Sequence, residues 1–404
     1  MKFAIISPVL PPSPSGQAVV IFKLMQNFHS EDFIAISSKN YTKEHRNQCT
    51  GKFECNYVYL PELPVGFKKF ILFANYFGIN QFLEAYLKKR IRCYQKIFRK
   101  YGCKRVIACT ADLFEPYAVF NACRQFNIPF YFYIFDDFIL QWTDRFDLKF
   151  VMKYGPLVIR DADKVIVANE CLEYEYKKRY GIESEVIHNP VDIECYSSQY
   201  DVKILNSEIK ILYTGDVGEA HYDAFRNLIA ALEQFGNPNI RIHIYTGRRK
   251  ARLLKERITG PFVVLHPHQH ITSIPQIQQS ADILFLPLAF HSKYPEFIIN
   301  SASPGKMGEF LAAGRPILVH APPGSFVSWY FKKNGCGLVV DSPDVENLVS
   351  AIQKLISDEE LRKKISSAAR EAALRDFNAE SIRAQFKEIV SPNRSLYKTS
   401  GDLG

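Results

Sequence analysis

The sequence predicts an α/β protein with two domains, each built around a parallel β-sheet. The chain has 404 residues, which is the length of about two domains. Short apolar runs alternate with helical stretches, and this series of alternations occurs twice. A segment rich in turn-forming residues, beginning at His188-Asn189-Pro190, separates the two series. We therefore expect two α/β domains joined by a short linker.

The first domain is expected to span residues 1–195. Its predicted strands are residues 3–7, 33–37, 57–60, 105–109, 130–135, 164–168 and 184–187. Its helical segments include residues 17–28, 79–101 and 115–126. The apolar run at the N-terminus is short and is followed at once by prolines, which indicates a first strand rather than a signal peptide.

The second domain is expected to span residues 196–390. Its predicted strands are residues 209–214, 240–246, 263–265, 283–287, 317–320 and 337–340. Helices are predicted at residues 224–235, 250–258, 274–279, 345–356, 359–375 and 379–390, and another begins near Gly305. The polar residues 391–404 are expected to form a loose tail.

Composition limits the classes of protein that fit. Hydrophobic residues make up 47% and charged residues 23% of the chain, and no run of about 18 apolar residues is free of charge. The nine cysteines form no C-x-x-C pair, so we expect neither a zinc site nor a disulfide framework. The net charge of +9 favours an anionic partner, but no nucleic-acid-binding signature accompanies it. We expect a cytoplasmic protein.

Residues 67–105 are strongly basic, with eleven Lys or Arg residues and a single acid, Glu84. Leu87, Ile91, Tyr94 and Phe98 recur within this segment at helical spacing, which predicts an amphipathic helix. Two interpretations remain open. The helix packs on the domain and exposes a basic face, or it lies on an anionic membrane surface, which would place the protein at the inner face of the cytoplasmic membrane.

The most informative motif is Ser303-Pro304-Gly305-Lys306, followed by Glu309. The turn opens into a helix whose free N–H groups and dipole favour an anion, and Lys306 adds a positive charge. The carboxylate of Glu309, one turn later, accepts hydrogen bonds from hydroxyl donors. This arrangement is typical of a nucleoside diphosphate site, although a helix before a buried strand is also ordinary α/β architecture.

Three further groups are candidates for function. Gly16 lies in the loop after the first strand, where a ligand could approach the backbone closely. Asp136 and Asp137 follow a predicted strand, either as orienting groups for substrate or as caps of the next turn. The residues His266, His268 and His270 alternate in a loop, but no fourth ligand at metal spacing follows, so we expect no metal.

The C-terminal half resembles the retaining nucleotide-sugar glycosyltransferases of group 1, also called family 4-like, which have the GT-B fold. The segments that match are residues 281–287, 303–306, 309–316, 335–340 and 375–377. A looser likeness covers residues 161–167 and 189–192. The resemblance implies two Rossmann-like domains whose parallel sheets face each other across a cleft, with the acceptor held by the N-terminal domain and the sugar nucleotide by the C-terminal one.

The resemblance also implies roles for individual residues. The residue matching Glu309 binds the ribose in the family, and residues 303–306 contact the diphosphate and the sugar. Gly16 closes on the diphosphate, Gly215 and Arg248 line the same cleft, and His266 lies near the base. Asp136, Asp137 and Lys306 are the candidate catalytic residues.

Departures from the family pattern concern the charges of the site. Many members have a second glutamate eight positions before the residue matching Glu309, where this chain has Ser301. Many also place Arg and Lys in the loop after Gly215, where this chain has Asp216 and Asp223. The diphosphate charge would then be met by other cations, for which the candidates are Lys306, Arg226, Arg248 and Arg249.

The expected reaction is transfer of a hexosyl group from a nucleoside diphosphate sugar to an acceptor hydroxyl. The resemblance implies retention at the anomeric carbon without a metal or other cofactor, and a saccharide or lipid-linked saccharide acceptor in cell-surface polysaccharide or glycolipid synthesis. Two alternatives stay open. One is a sugar-nucleotide epimerase or hydrolase of similar fold, and the other is a non-catalytic homologue that binds nucleotide sugars.

Overall fold

The protein consists of two compact α/β units in a computed structural model. The structure describes residues 2–13, 15–40, 51–197, 202, 204 and 208–391. The N-terminal unit comprises residues 1–190 together with 379–404, and the C-terminal unit comprises residues 191–378. Each unit has one parallel β-sheet, which confirms the predicted fold class.

The N-terminal unit contains a seven-stranded sheet of strand order β3-β2-β1-β4-β5-β6-β7. Its strands are β1 (Phe3–Ile6), β2 (Phe33–Ser37), β3 (Asn56–Tyr59), β4 (Arg105–Cys109), β5 (Phe130–Ile134), β6 (Lys164–Val167) and β7 (Glu185–Val186). The C-terminal unit contains a six-stranded sheet of order β10-β9-β8-β11-β12-β13. Its strands are β8 (Ile209–Thr214), β9 (Ile240–Tyr245), β10 (Val263–His266), β11 (Ile283–Pro287), β12 (Ile317–His320) and β13 (Leu338–Val340).

Helices connect the strands in both units. Those of the first half are α1 (Gly16–Leu24), α2 (Val65–Tyr76), α3 (Gln81–Tyr101), α4 (Glu115–Gln125), α5 (Arg145–Arg160) and α6 (Glu170–Tyr180). Those of the second half are α7 (Tyr222–Phe235), α8 (Lys250–Lys255), α9 (Ile274–Gln279), α10 (Glu296–Asn300), α11 (Gly305–Ala313), α12 (Phe326–Asn334), α13 (Val345–Ser357), α14 (Glu359–Ala372) and α15 (Ala379–Val390).

Local sequence explains where the strands and helices form. Strands β1, β2, β5, β11 and β12 are buried along their whole length, as expected for apolar runs in a parallel sheet covered by helices. The side chain of Ser15 accepts a hydrogen bond from the N–H of Ala18 and caps α1. Helix α11 ends at Gly314, which adopts the left-handed conformation with φ of 65°. Every predicted strand is present in the structure.

The predicted division of the chain is wrong for one helix. Residues 196–390 were expected to form the second domain, but α15 belongs to the N-terminal unit. Phe386 of α15 is buried in the N-terminal core beside Tyr133, with ring centroids 6.1 Å apart. The guanidinium of Arg383 donates a hydrogen bond to the backbone oxygen of Lys23. Sequence periodicity predicts such a helix but does not reveal which core its apolar face enters.

The predicted amphipathic helix is α3, and its apolar stripe packs inside the N-terminal unit. Leu87, Tyr94 and Phe98 are all buried. Of the two interpretations of this segment, packing of the helix on its own domain is therefore the correct one for the apolar stripe of α3. Helix α2, which precedes α3, was not predicted. Within the described part of the chain, no helix combines the length and the apolar character needed to cross a membrane.

Candidate active site

The C-terminal sheet directs several loops to one edge. Its strand order runs outward in both directions from β8 and β11, so the chain reverses its direction of winding between these two neighbours. In open parallel sheets, ligands bind beyond the carboxyl ends of the strands at such a reversal. Gly215 follows β8, and α11 leads into β12 on the other side of β11. We therefore expect the loop after β8 and the N-terminus of α11 to form the candidate site.

Helix α11 presents its N-terminus as the motif predicts. Pro304 precedes the helix, and no side chain caps its first turn. Met307 donates its N–H to the carbonyl of Pro304, so the N–H groups of Gly305 and Lys306 are the ones at the start of the helix that have no partner within it. The helix dipole places partial positive charge there. Gly305, at the first position, is exposed, whereas Phe310 and Leu311 on the inner side are buried. The helix is thus fixed by its apolar side while its first turn can meet an anion.

Glu309 is held by two side chains. The ammonium group of Lys306 lies 3.0 Å from Oε2 of Glu309, one turn earlier in the same helix. The amide nitrogen of Gln278 donates a hydrogen bond of 3.1 Å to the same oxygen. Only 17% of the Glu309 side chain is exposed, compared with 30% for Lys306. The carboxylate is therefore oriented before any ligand arrives.

Gln278 itself is fully buried and fixed by two further contacts. Its amide nitrogen also donates to the hydroxyl of Thr214 at the end of β8, over 2.8 Å. Its amide oxygen accepts a hydrogen bond of 2.8 Å from the hydroxyl of Tyr196. Sequence reasoning missed Gln278, because a glutamine inside a short helix carries no signal of its position. A polar residue on the buried side of α9 was the only available hint.

The loop after β8 lies directly against Lys306. Gly215 has a φ of 143°, and a methyl group added there would lie 3.3 Å from Cε of Lys306. The hydroxyl of Tyr213 donates to the backbone oxygen of Asp216. Burial lowers the pKa of His221 to about 4, so its ring is neutral near pH 7. Nδ1 of this ring accepts a hydrogen bond from the N–H of Gly218, which holds the other end of the loop.

Arg248 lies on the other side of this loop. Its guanidinium forms an ion pair with Asp216, and a methyl group added at Gly218 would lie 3.5 Å from one of its nitrogens. Asp216 is therefore neutralised in part by a cation from the loop after β9. Arg226, a second candidate, pairs instead with Glu256 and contacts the end of α8. Arg248 and Lys306 are thus the predicted cations that meet at the loop.

Ser301, where the resemblance led us to look for a glutamate, lies at the end of α10. It is 3% exposed, and its hydroxyl donates to the backbone oxygen of Phe297 in α10. This hydroxyl is directed toward its own helix and does not replace a carboxylate.

His266 ends β10, two strands away from β8. Its ring stacks on Tyr245 with centroids 4.1 Å apart, and it shares a hydrogen bond with His243. His243 is in turn bonded to Glu208. Burial, with a smaller effect of the positive charge on Lys210, lowers the pKa of His266. A neutral, flat aromatic surface therefore lies at this edge of the sheet.

Two of the three alternating histidines, His266 and His270, bond to neighbouring side chains. His266 bonds to His243, and the ring of His270 bonds to Thr272. No group of three His, Cys, Asp or Glu side chains in the described ranges has the arrangement that a metal ion requires.

The N-terminal unit places Gly16 at the corresponding reversal of its own sheet, where α1 begins. No atom of the described residues lies within 4 Å of a methyl group added at Gly16. Packing therefore does not require a glycine there. The amide of Gln17 donates to the hydroxyl of Ser7 after β1 and to the backbone oxygen of Thr110 after β4, which fixes the first turn of α1.

Asp136 and Asp137 follow β5, and the structure separates their roles. Asp137 is fully buried, and its carboxylate accepts hydrogen bonds from the N–H groups of Ile139 and Leu140 and pairs with Arg179. The prediction of a catalytic role for Asp137 is therefore corrected: its carboxylate caps a turn. Asp136 is exposed, although protein atoms around its carboxyl group and the charge of Asp137 raise its pKa. Asp136 remains a candidate.

The C-terminal unit matches a family model over most of its length. Residues 208–358 match the model for the Glycosyl transferases group 1. This match includes Gly215, Arg248, Gln278, Lys306 and Glu309. The fold and the matched domain together define the class of protein, which is a glycosyltransferase. The resemblance predicted from the sequence motifs is confirmed.

Solved structures give the fold of the whole chain. A sucrose-phosphate synthase from Thermosynechococcus elongatus is 16% identical, with a TM-score of 0.68 over 96% of this chain and 98% of its own. HepE from Anabaena in complex with UDP is 14% identical, with a TM-score of 0.69 over 97% of this chain and 100% of its own. WaaG, a glycosyltransferase involved in lipopolysaccharide biosynthesis, is 14% identical, with a TM-score of 0.63 over 97% and 100%.

The TM-scores establish the GT-B fold. Because all three identities are low, these likenesses show the fold alone. A comparison with curated protein sequences gave no match.

Proposed function

We propose that this protein transfers a hexosyl group from a nucleoside diphosphate sugar to an acceptor hydroxyl. The observation that carries the proposal is the pairing of Lys306 with Glu309 at the N-terminus of α11, beside Gly215, within the matched glycosyltransferase domain. HepE, which shares the fold, has been crystallised with UDP and with UDP-glucose, which supports a nucleotide sugar as the donor.

The donor diphosphate would bind at the first turn of α11. Gly305 and Lys306 offer backbone N–H groups, since Pro304 has none. The side chains of Lys306 and Arg248, which pair with Glu309 and Asp216, lie on two sides of the loop at Gly215. As the bond to the sugar breaks, negative charge grows on the diphosphate. Groups already directed at that position stabilise this charge without rearranging. The ammonium group of Lys306 would stabilise the negative charge of the leaving diphosphate in this step.

Glu309 would bind the ribose hydroxyls of the donor. A carboxylate is an acceptor only, so it suits two neighbouring hydroxyl donors, and the contacts with Gln278 and Lys306 fix its direction. His266, stacked on Tyr245, offers a flat surface for the base.

The N-terminal unit would bind the acceptor, with Gly16 approaching the diphosphate and Asp136 orienting an acceptor or sugar hydroxyl. The open space at Gly16 and the exposure of Asp136 at the end of β5 support these roles. We propose a retaining, metal-independent reaction, since the cations of the site can meet the leaving-group charge. A role in cell-surface polysaccharide or glycolipid synthesis, at the inner face of the cytoplasmic membrane, completes the proposal.

A thermal-shift screen of the full chain with UDP, GDP and their sugars tests the proposal. A ligand that binds only the folded state raises Tm, by an amount that grows with its concentration. We expect one nucleotide to raise Tm and its sugar conjugate to raise it as well. Incubation of the enzyme with the donor alone should give neither epimer nor free sugar. Absence of binding to every nucleotide, checked by calorimetry, would contradict the proposal.

Replacing Gly215 with alanine should weaken donor binding by about tenfold or more. A non-glycine residue at a φ of 143° is strained by roughly 1–3 kcal/mol, and the new methyl group would press on Lys306 and on the hydroxyl of Tyr213. Calorimetric titration of the variant with the nucleotide found in the screen measures the loss.

Gly260→Ala is the matched control for this variant. Gly260 has a φ of 154°, and no atom of the described residues lies within 4 Å of an added methyl group. This control carries similar backbone strain without the contact to Lys306. Equal losses of affinity in both variants would show that strain in the fold, and not the loop at Lys306, explains the effect.

Replacing Gln278 with leucine should also lower donor affinity by about tenfold. The change removes the hydrogen bond that orients Glu309, and one hydrogen bond to a charged group is worth roughly 1.5–3 kcal/mol. Stability should fall as well, because the buried hydroxyl of Tyr196 loses its acceptor. Calorimetry at a temperature where the variant is fully folded separates the two effects.

Gln276→Leu provides the comparison for this second variant. Gln276 lies in the same helix two residues earlier, but it is exposed. The Gln276→Leu variant should bind the donor with the affinity of the parent protein. If Gln278→Leu binds donor as tightly as Gln276→Leu does, Gln278 has no positioning role.

A further inference from the structure

Helix α2 exposes a row of large aromatic side chains. Phe67, Phe70 and Phe73 are 47%, 46% and 51% exposed, and Phe77, just after the helix, is 62% exposed. Their spacing of three and four residues places them on one side of the helix. Val65 and Phe82 are also exposed, at 72% and 37%. We call these six residues the aromatic face.

The rings of the aromatic face form two contacting groups, and Phe70 and Phe73, one from each group, line the same recess. The rings of Phe67 and Phe70 lie 6.2 Å apart, and those of Phe70 and Phe82 lie 5.0 Å apart. Phe73 and Phe77 form a second pair at 4.8 Å. Single exposed apolar residues are common on protein surfaces, but a contiguous patch indicates a site of interaction.

Other apolar residues of α2 pack in the core. Ile71, Leu72 and Ala74 are buried in the N-terminal unit. The helix is therefore apolar on both sides, although only one side is needed to attach it to the domain. Packing within the N-terminal unit does not account for the outward side.

Basic residues flank the aromatic face on two neighbouring helices. On α3, four exposed cations continue from Phe82 at helical spacing: Lys88, Lys89, Arg92 and Lys96. On α5, Arg145 and Lys149 lie over the ring of Tyr76, at 5.5 and 5.2 Å. Lys69 is exposed on α2 itself. The acidic residues of the same region are Glu84, Asp144, which caps α5, and Asp147.

A recess of about 730 Å³ lies beside the aromatic face, between α2 and the first turn of α5. Phe70, Phe73 and Phe146 supply apolar lining, and two ammonium groups and two carboxylates complete it, from Lys68, Lys69, Asp144 and Asp147. The recess therefore extends the apolar surface of the aromatic face, whereas the excess of positive charge lies on α3 and at the start of α5.

We propose that the aromatic face inserts into the interfacial region of a bilayer that contains anionic lipids. Aromatic side chains are favoured at the boundary between headgroups and acyl chains, and the flanking cations would contact lipid phosphates. The proposal names the element that would bind the membrane in the proposed function, but it does not depend on sugar transfer. The apolar stripe of α3, from which the sequence suggested this partner, is buried and is not the binding surface.

The charges favour a membrane over a second copy of this chain. In a two-fold dimer the same patch faces itself, so the basic residues around one aromatic face would lie close to those around the other. Like charges placed together across an interface are unfavourable, whereas an anionic bilayer complements them.

Binding of the full chain to vesicles tests the proposal. Sedimentation with phosphatidylcholine vesicles that contain phosphatidylglycerol should bring down the protein, and binding should weaken in high salt because charge interactions are screened. Phe73→Ser/Phe77→Ser should bind at least about tenfold more weakly, since two apolar anchors are lost. No binding to anionic vesicles, with UDP binding and fold intact, would overturn the membrane proposal and leave the proposed sugar transfer unaffected.

A matched variant controls for loss of apolar surface in general. Tyr174 and Leu254 are 64% and 63% exposed and lie outside the aromatic face. Tyr174→Ser/Leu254→Ser should bind vesicles as the parent protein does. Equal weakening in the two double variants would overturn the assignment to α2.

Two further measurements separate the membrane from other partners. In Phe77→Trp, the indole fluorescence should shift to the blue on adding anionic vesicles, as it enters an apolar environment, and an unchanged spectrum would count against insertion. Lys88→Glu/Arg92→Glu should lower affinity by about 25-fold or more, at about fivefold for each cation removed. If the serine variants instead abolish a dimer seen in light scattering while vesicle binding persists, the aromatic face is a self-association surface.

Discussion

Replacing Glu309 with alanine should abolish sugar transfer while the fold survives. Two hydrogen bonds from ribose hydroxyls to a carboxylate are worth roughly 3–6 kcal/mol together, so donor affinity should fall at least about a hundredfold. The variant also leaves Lys306 and Gln278 without the oxygen that they share, at 3.0 and 3.1 Å. Both groups would then turn to other partners, which adds to the loss.

Calorimetry and a transfer assay with the donor identified in the screen measure this effect. Glu346→Ala is the control, because Glu346 is an exposed glutamate in the first turn of α13, in the same unit. Its donor affinity and Tm should match those of the parent protein. Full transfer activity in Glu309→Ala would contradict the assignment of Glu309 to the donor site, even if nucleotide binding elsewhere were intact.

Replacing Arg90 with alanine should destabilise the N-terminal unit by roughly 3–5 kcal/mol, because it leaves a buried carboxylate without its charge partner. Arg90 and Glu115 are 5% and 7% exposed and join α3 to α4 through contacts of 2.6 and 2.7 Å. Arg90 also donates to the backbone oxygen of Pro61, ahead of α2. The pair therefore anchors the helices that present the aromatic face.

The two tryptophans of the chain allow this loss to be measured in one unit at a time. Trp142 belongs to the N-terminal unit and Trp329 to the C-terminal unit. In a Trp329→Phe background, urea unfolding followed by fluorescence reports on the N-terminal unit. Lys89→Ala, which removes an exposed neighbour of Arg90, should change stability by less than about 0.5 kcal/mol. A loss below about 1 kcal/mol for Arg90→Ala would show that the pair does not stabilise the unit.

The sheets could be predicted from the sequence because their strands are continuous apolar runs. Residues 283–287 and 317–320, for example, are short apolar runs of the kind expected for strands of a parallel sheet, and both are fully buried. Helix α2 escaped prediction because its apolar residues occur on both sides and give no clear periodicity. The partner of α15 could not be predicted either, since an amphipathic pattern specifies an apolar side but not the core that receives it.

The donor site was predictable where one stretch of sequence contains it. Pro304, Lys306 and Glu309 lie within two turns of α11, so their relative positions follow from helix geometry. Gln278 and Arg248 reach the site from other segments, and only the arrangement of strands brings them there. The role of Asp137 could not be predicted from the sequence. Two neighbouring aspartates look the same in a sequence whether their carboxylates face solvent or, like that of Asp137, cap a buried turn.

The chain passes between the two units twice, near residues 190 and 378. In terms of connectivity, residues 191–378 are an insertion within the N-terminal unit. A fragment that ends at residue 378 would lack Phe386 and Ile382, which belong to the core of the N-terminal unit. During synthesis, the N-terminal unit therefore cannot finish folding until α15 has been translated. The C-terminal unit is complete in sequence earlier, at residue 378.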